Sequence, residues 1–186
     1  LLFALWVSAS PPCPPLPGAE VPGRLGAAVS GGCSAWLLTT RSLVRVGPSG
    51  TVDRTVQGRF AGGTLQLDLA RDRLYVVTAV TSDAAVEAVI EARQASTLEV
   101  QQGWGAKGTV RLKAMRKATK PHVSTGGDVA AQVRPDGSLV VVTRADSVEV
   151  KQSLVTSWSV SPAGVASAPI AVGEIDGPMV GGRVVF

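Results

Sequence analysis

The sequence predicts an all-β fold made of four-stranded antiparallel meanders, and three observations favour it. Hydrophobic residues make up 45% of the chain and charged residues 17%, a balance that excludes a disordered protein. Short valine-rich runs recur along the chain and suit β-strands. The 21 glycines and 12 prolines supply the tight turns that would join neighbouring strands. A two-sheet β-sandwich of the same short strands is the alternative.

Residues 1–18 are interpreted as the end of a secretory leader and a proline-rich linker. Residues 1–7 form a short apolar run, and Ala9 fits the small-residue rule for signal-peptidase cleavage. Five prolines between positions 11 and 17 disfavour the alternative, a buried edge strand, because proline has no N–H to donate to a ladder. We therefore expect a secreted, extracellular or periplasmic protein. The apolar run is too short to span a bilayer, which takes about 20 residues.

The two cysteines of the chain are Cys13, which lies in the proline-rich linker, and Cys33. In an oxidising compartment, a disulfide between them would tether the linker to the first strand. Two free thiols are the alternative, because sequence spacing alone cannot establish a pairing.

The first half of the chain is predicted to form a meander after a linker at residues 17–32. The turn signal GPSG at 47–50 separates two strands, and residues 64–69 (TLQLDL) place three leucines on one face. β-Branched and alternating apolar residues mark the strands themselves. The predicted strands are residues 35–40, 42–46, 51–56, 64–69, 74–80, 86–92 and 98–102.

The second half repeats the same pattern. A hairpin is predicted around the sequence RPDG at 134–137, because proline presets φ for a turn and glycine accepts a positive φ. A last hairpin begins at residues 177–180. The strands predicted between these points are residues 129–133, 138–143, 147–151, 155–160 and 165–172.

The predicted inner strands recur along the chain. Trp36, Tyr75 and Val140 occupy corresponding positions, 39 residues apart from 36 to 75 and 65 residues apart from 75 to 140. Blades of a β-propeller repeat at about 40 to 50 residues, so the wider spacing indicates an insertion, which we place at residues 103–127. Residues 19–186 are thus predicted to be a partial β-propeller of three to four blades, truncated at both ends.

Two motifs resemble the YVTN-type β-propeller repeat family. The sequence RLYVVT at 73–78, followed by VIE at 89–91 and STLEV at 96–100, is similar to the strand pattern of that repeat. The sequence PDGSLVVV at 135–142 is similar to the start of its next blade. The resemblance covers residues 65–143. It implies a secreted propeller, and it says more about the fold than about any chemistry.

A basic segment within the predicted insertion is the best candidate for a recognition surface. The chain's net charge of +4 is mild, but residues 105–122 contain six basic residues and no carboxylate, a composition that suits a polyanion. A solvated loop, or an outer strand at 109–113, is the alternative. Trp104 lies between two glycines and is expected to be exposed beside this segment. The candidate residues are Trp104, Lys107, Arg111, Lys113, Arg116, Lys117 and Lys120.

No residues form a recognisable catalytic motif. His122 is the single histidine and has no partner at a diagnostic spacing. Four carboxylates lie near turns of the central hairpin, where they could bind Ca²⁺ or act as acid and base at a propeller opening, and turn formation explains them equally well. They are Asp68, Asp72, Asp83 and Glu87.

The expected function is therefore that of a secreted or cell-surface, non-catalytic recognition module. Its partner would be a protein, missing blades of the same chain, or a polyanion on the basic segment. Nucleic acid is disfavoured because the segment contains no aromatic residue to stack a base. The alternative is an enzyme of the lactonase or lyase type that uses carboxylates at the propeller opening.

Overall fold

The computed structural model describes residue 13 and residues 24–60, 63–81, 85–115, 124–147 and 152–176. In this part of the chain, twelve strands form three four-stranded antiparallel sheets, and neighbouring strands follow each other in sequence. The predicted all-β class and the four-stranded meander are confirmed. The strands lie in three separate sheets, so the alternative of a two-sheet sandwich is wrong.

The first sheet begins earlier than the sequence indicates. The sequence predicts a linker over residues 17–32, but residues 25–31 form β1, which pairs with β2 and brings Val29 opposite Trp36. Gly32 and Cys33, with φ of 55° and 62°, make the tight turn between the two strands. The strands are β1 (Leu25–Gly31), β2 (Ser34–Thr39), β3 (Ser42–Val46) and β4 (Val52–Gln57).

The second sheet takes its fourth strand from the segment predicted to be an insertion. The strand predicted at residues 98–102 is wrong: Leu98 has a φ of 64° and turns its side chain into the core, and Val100 makes one isolated bridge to Arg93. A loop at residues 95–108 replaces this strand. The strands are β5 (Thr64–Asp68), β6 (Arg73–Thr81), β7 (Ala85–Gln94) and β8 (Thr109–Met115).

The third sheet differs from the prediction in its outer half. One long strand extends to Ser147, where a separate strand at 147–151 was expected, and residues 148–151 lie outside the described part. The strand expected at 165–172 starts only at Ile170, and the hairpin expected at 177–180 is also outside the described residues. The strands are β9 (Ser124–Val133), β10 (Leu139–Ser147), β11 (Gln152–Val160) and β12 (Ile170–Asp176).

The sheets pack face to face, with their first strands adjacent. β1 contacts β5, and β5 contacts β9. Trp36, Leu38 and Leu43 of the first sheet pack on Leu65 and Leu74 of the second, and a second, larger cluster fills the space between the second and third sheets. Trp36, Tyr75 and Val140, aligned from the sequence, all lie in the second strand of a sheet.

This arrangement gives the molecule two distinct ends. We call "upper end" the one that carries the β1–β2, β5–β6 and β9–β10 turns together with the loops between the third and fourth strands of each sheet. The opposite end, where β1 starts and β2 turns into β3, is the "lower end". In the part of the chain that the structure describes, no helix is long and apolar enough to cross a bilayer.

Candidate functional site

Trp104, predicted to be exposed, is buried between the second and third sheets. Trp104 is 2% exposed, and its ring packs on that of Tyr75 with 5.5 Å between the ring centroids. The N–H of Gly105 donates to the carbonyl oxygen of Ala163, which lies in the loop between β11 and β12 of the third sheet (3.1 Å). A Cβ at Gly164 would lie 3.0 Å from Trp104 Cδ2, so this glycine permits the close approach. Because its ring is buried, Trp104 cannot be a surface contact.

The loop that holds Trp104 is tied to β7 and to itself by backbone hydrogen bonds. The N–H of Gly108 donates to the carbonyl oxygen of Trp104 (2.7 Å), and the N–H of Ala92 donates to that of Gly108 (2.9 Å). The N–H of Gln101 donates to the carbonyl oxygen of Ala92, which lies on β7 (2.9 Å). Because the buried ring and these bonds fix the loop, they also fix the exposed Lys107 and the start of β8.

The basic residues of β8 lie on an outer edge of the second sheet. Val110, Leu112 and Ala114 point into the core, so Arg111 and Lys113 point to solvent from the alternate positions. Arg111 Nη1 lies 2.9 Å from Glu87 Oε2, and its side chain is 63% exposed. We call Lys107, Arg111 and Lys113 the basic edge. The other candidates, Arg116, Lys117 and Lys120, and also His122, lie outside the described residues.

The carboxylates proposed for catalysis or Ca²⁺ binding have separate structural partners. Asp68 Oδ2 pairs with Arg71 (3.0 Å) and its side chain is 5% exposed. Asp72 accepts hydrogen bonds from the backbone N–H (2.9 Å) and the hydroxyl (2.6 Å) of Ser96. Glu87 lies opposite Val80 in the lower half of the second sheet, whereas Asp68 and Asp72 lie at its upper end.

These carboxylates therefore do not converge on one position. Asp83 lies outside the described residues. Among the residues that the structure describes, no three histidine, cysteine, aspartate or glutamate side chains are grouped so that they could hold a metal ion.

Three arginines at the upper end connect each sheet to the next, a feature that sequence reasoning missed. Arg45 donates to the carbonyl oxygen of Ser96 (3.1 Å), which joins the first sheet to the second. Arg71 donates to that of Asp136 (2.7 Å) and Arg73 to that of Pro162 (2.7 Å), which join the second sheet to the third. Charge-assisted bonds of this kind are stronger than neutral ones, so these contacts hold the sheets in register.

Two groups of the upper end have shifted pKa values with structural causes. Burial raises the pKa of Tyr75, although Arg73 Nη1, which donates to its hydroxyl oxygen (3.2 Å), opposes that shift. The hydroxyl of Ser138 (2.7 Å) and its N–H (2.8 Å) hold the pKa of the exposed Asp136 carboxyl below its usual value. Both shifts belong to packing and turn formation.

The structure joins Cys13 and Cys33 by a disulfide, with 5.1 Å between the two Cα atoms, which is one of the two alternatives that the sequence left open. Cys33 belongs to the tight turn between β1 and β2, at the upper end. The bridge therefore attaches the N-terminal part of the chain to the end of the sheets where the arginine contacts lie.

Comparison with known proteins assigns no family: neither the family models nor the curated proteins contain a match to this sequence. Function is therefore inferred from the features described above. They comprise a basic edge on β8, a fixed loop beside it, and carboxylates that are held by neighbouring groups.

Proposed function

We propose that this protein is an exported, non-catalytic recognition module whose sheets are consecutive blades of a YVTN-type β-propeller. Three meanders in chain order with adjacent first strands support the blade assignment. The similarity of residues 65–143 to that repeat supports the family. The Cys13–Cys33 bridge suits an oxidising compartment, as export would provide.

The observation that carries the recognition role is the basic edge. β8 pairs with β7 on one side, and in the described part of the chain no strand pairs with its other side. Arg111 and Lys113 project beside this open ladder, and Lys107 precedes it on the fixed loop. Positive charges on an edge strand repel a second copy of the same edge and attract a segment that carries carboxylates.

The partner that fits this edge is a protein with an extended acidic segment. Such a segment would add as a further strand beside β8, with backbone hydrogen bonds for affinity and carboxylates facing Arg111 and Lys113. Complementary charge raises the rate of association and selects the partner more than it raises affinity. Asp68 and Asp72, two of the four carboxylates considered for catalysis, hold Arg71 and Ser96.

The test is a titration of isotope-labelled protein with a soluble peptide in which glutamate alternates with threonine. We expect amide chemical-shift changes concentrated in residues 107–115. The triple variant Lys107→Gln, Arg111→Gln, Lys113→Gln should bind about tenfold more weakly, since three partly exposed charge pairs contribute roughly 0.2–1 kcal/mol each. A peptide with lysine in place of glutamate is the matched control. Binding of both peptides, or shifts that avoid β8, would refute the proposal.

A further inference from the structure

Three exposed arginines lie together at the lower end of the first sheet, on segments that are distant in sequence. Arg24 directly precedes β1, Arg41 lies in the turn between β2 and β3, and Arg59 follows the end of β4 by two residues. All three are exposed. We call them the arginine row. They lie on a different sheet and at a different position from the basic edge.

Backbone hydrogen bonds bring the three segments of the row together. Thr40 is central: its N–H donates to the carbonyl oxygen of Arg24 (3.2 Å), and its own carbonyl oxygen accepts from the N–H of Phe60 (3.5 Å). The N–H of Gly58 donates to the carbonyl oxygen of Arg41 (2.9 Å). Arg24 and Arg41 accept hydrogen bonds through their own carbonyl oxygens, and Arg59 lies between Gly58 and Phe60, which each donate one. The three arginines therefore follow one another across the end of the sheet.

Core packing sets the position of the third member of the row. The side chain of Phe60 packs against the cluster between the first and second sheets, and it folds back over Gly58. A Cβ at Gly58 would lie 2.8 Å from Phe60 Cζ, so a larger residue here would displace the ring. Arg59, which lies between these two residues, is thus held beside the turn that carries Arg41.

The row differs in its electrostatic surroundings from the four described arginines that form ion pairs. Arg45, Arg71, Arg93 and Arg111 each pair with a carboxylate within 3.0 Å. In the part of the chain that the structure describes, no carboxylate pairs with a member of the arginine row. Like charges held side by side without a counter-charge raise the local positive potential, and a bound anion lowers it.

We propose that Arg24, Arg41 and Arg59 bind a linear sulfated polysaccharide. The planar fork of each guanidinium matches the oxygens of a sulfate group in a bidentate manner, which a lysine cannot do. A row at a sheet end suits a linear polymer with regularly spaced charges. The aromatic residue beside the row, Phe60, packs against the core cluster, which disfavours base stacking and hence nucleic acid, and the disulfide-bonded chain suits an exported setting.

The experiment measures heparin binding of four proteins over a range of NaCl concentrations. The first three are the parent chain, the row with all three arginines changed to glutamine, and the row with all three changed to lysine. The fourth is the matched control Lys107→Gln, Arg111→Gln, Lys113→Gln, which loses the same charge elsewhere. We expect the glutamine row to bind at least tenfold more weakly, with a salt dependence reduced by about two in log–log slope.

The lysine row should bind more weakly than the parent and more tightly than the glutamine row, because it keeps the charge and loses the fork. The matched control should lose clearly less affinity than the glutamine row, because its three residues lie on another sheet. Equal losses in the glutamine row and the matched control would overturn the proposal, since they would show general charge attraction. A lysine row equal to the parent would overturn the guanidinium assignment.

Two further measurements keep the test decisive. Vesicles of phosphatidylserine and phosphatidylcholine replace heparin in one arm, and binding there without heparin binding would overturn the polysaccharide assignment. The single variant Arg41→Gln, at an exposed turn, guards against misfolding of the triple variant and should lose about twofold to fourfold in affinity. A negative result for the arginine row does not affect the acidic-peptide test of β8, because the two surfaces share no residue.

Discussion

Replacement of Trp104 by alanine should remove a large part of the stability of the interface between the second and third sheets. The side chain is 2% exposed and packs on Tyr75, so its removal leaves a cavity that the hydrogen-bonded loop cannot close. Truncation of a buried tryptophan costs about 3 to 5 kcal/mol. The aromatic pair with Tyr75 accounts for about 1 kcal/mol of that loss.

The control is Trp104→Phe, which keeps an aromatic ring against Tyr75. Within the described part of the chain, Trp104 Nε1 meets no hydrogen-bond acceptor, so the loss of its N–H leaves no partner unsatisfied. The phenylalanine variant should therefore lose only about 1 to 2 kcal/mol, mostly from reduced volume. Because both variants lose the indole N–H, the difference between them measures the packing of an aromatic ring at this position.

Urea unfolding followed by circular dichroism measures both free energies of unfolding. A domain of this kind has a total stability of about 5 to 15 kcal/mol, so the alanine variant should unfold at a clearly lower urea concentration. Its basic edge should also lose order, because Lys107 and the start of β8 follow the same loop. A loss below about 1 kcal/mol would mean that Trp104 lies on the surface, and the description of the interface would be wrong.

Two further predictions concern Tyr75 and the disulfide. Burial raises the pKa of Tyr75, so its contribution to stability is complete below pH 10 and declines at higher pH, where the unfolded chain loses its proton first. Tyr75 is the single tyrosine, so absorbance at 295 nm during an alkaline titration reports this group. Replacement of both Cys13 and Cys33 by serine should lower the free energy of unfolding by about 3 kcal/mol, as expected for closure of a loop of this length.

Each of these predictions has an outcome that would contradict it. A titration midpoint at or below pH 10 would show that Tyr75 is open to solvent, and Tyr75→Phe, which should lack the absorbance change, is the control. For the disulfide, parent protein treated with a reductant should match the double serine variant. Equal stability of the oxidised parent and the variant would show that the bridge does not constrain the unfolded chain.

Local sequence pattern predicted those strands whose residues alternate or carry β-branched side chains. Residues 64–69 and the hairpin around 134–137 follow the expectation closely, because alternation and turn chemistry act between near neighbours. β1 was missed since its sequence, LGAAVSG, consists largely of small residues with weak strand preference. It forms a strand because β2 offers a complete ladder of partners, among them Trp36 opposite Val29.

For the candidate surfaces, too, the sequence predicted what depends on near neighbours and not what depends on distant contacts. The alternation of Arg111 and Lys113 with apolar residues on β8 is visible in the sequence. The sequence also showed two cysteines that could pair, but only the structure joins them. The orientation of Trp104 was not visible, because it depends on Ala163 and Gly164, about 60 residues farther along the chain. The flanking glycines indicate a turn, but they do not indicate which way the ring points.

The amino-acid order alone was sufficient for the all-β class, the four-stranded meander and most strand positions, since these depend on side-chain periodicity and on turns of a few residues. Contacts between sheets could not be read in this way. Arg73 reaches Pro162, and the segments of Arg24, Arg41 and Arg59 lie side by side at one sheet end, only because folding brings separate segments together. Side-chain burial and charge neighbourhoods are properties of that packing, and the proposed recognition surfaces depend on them.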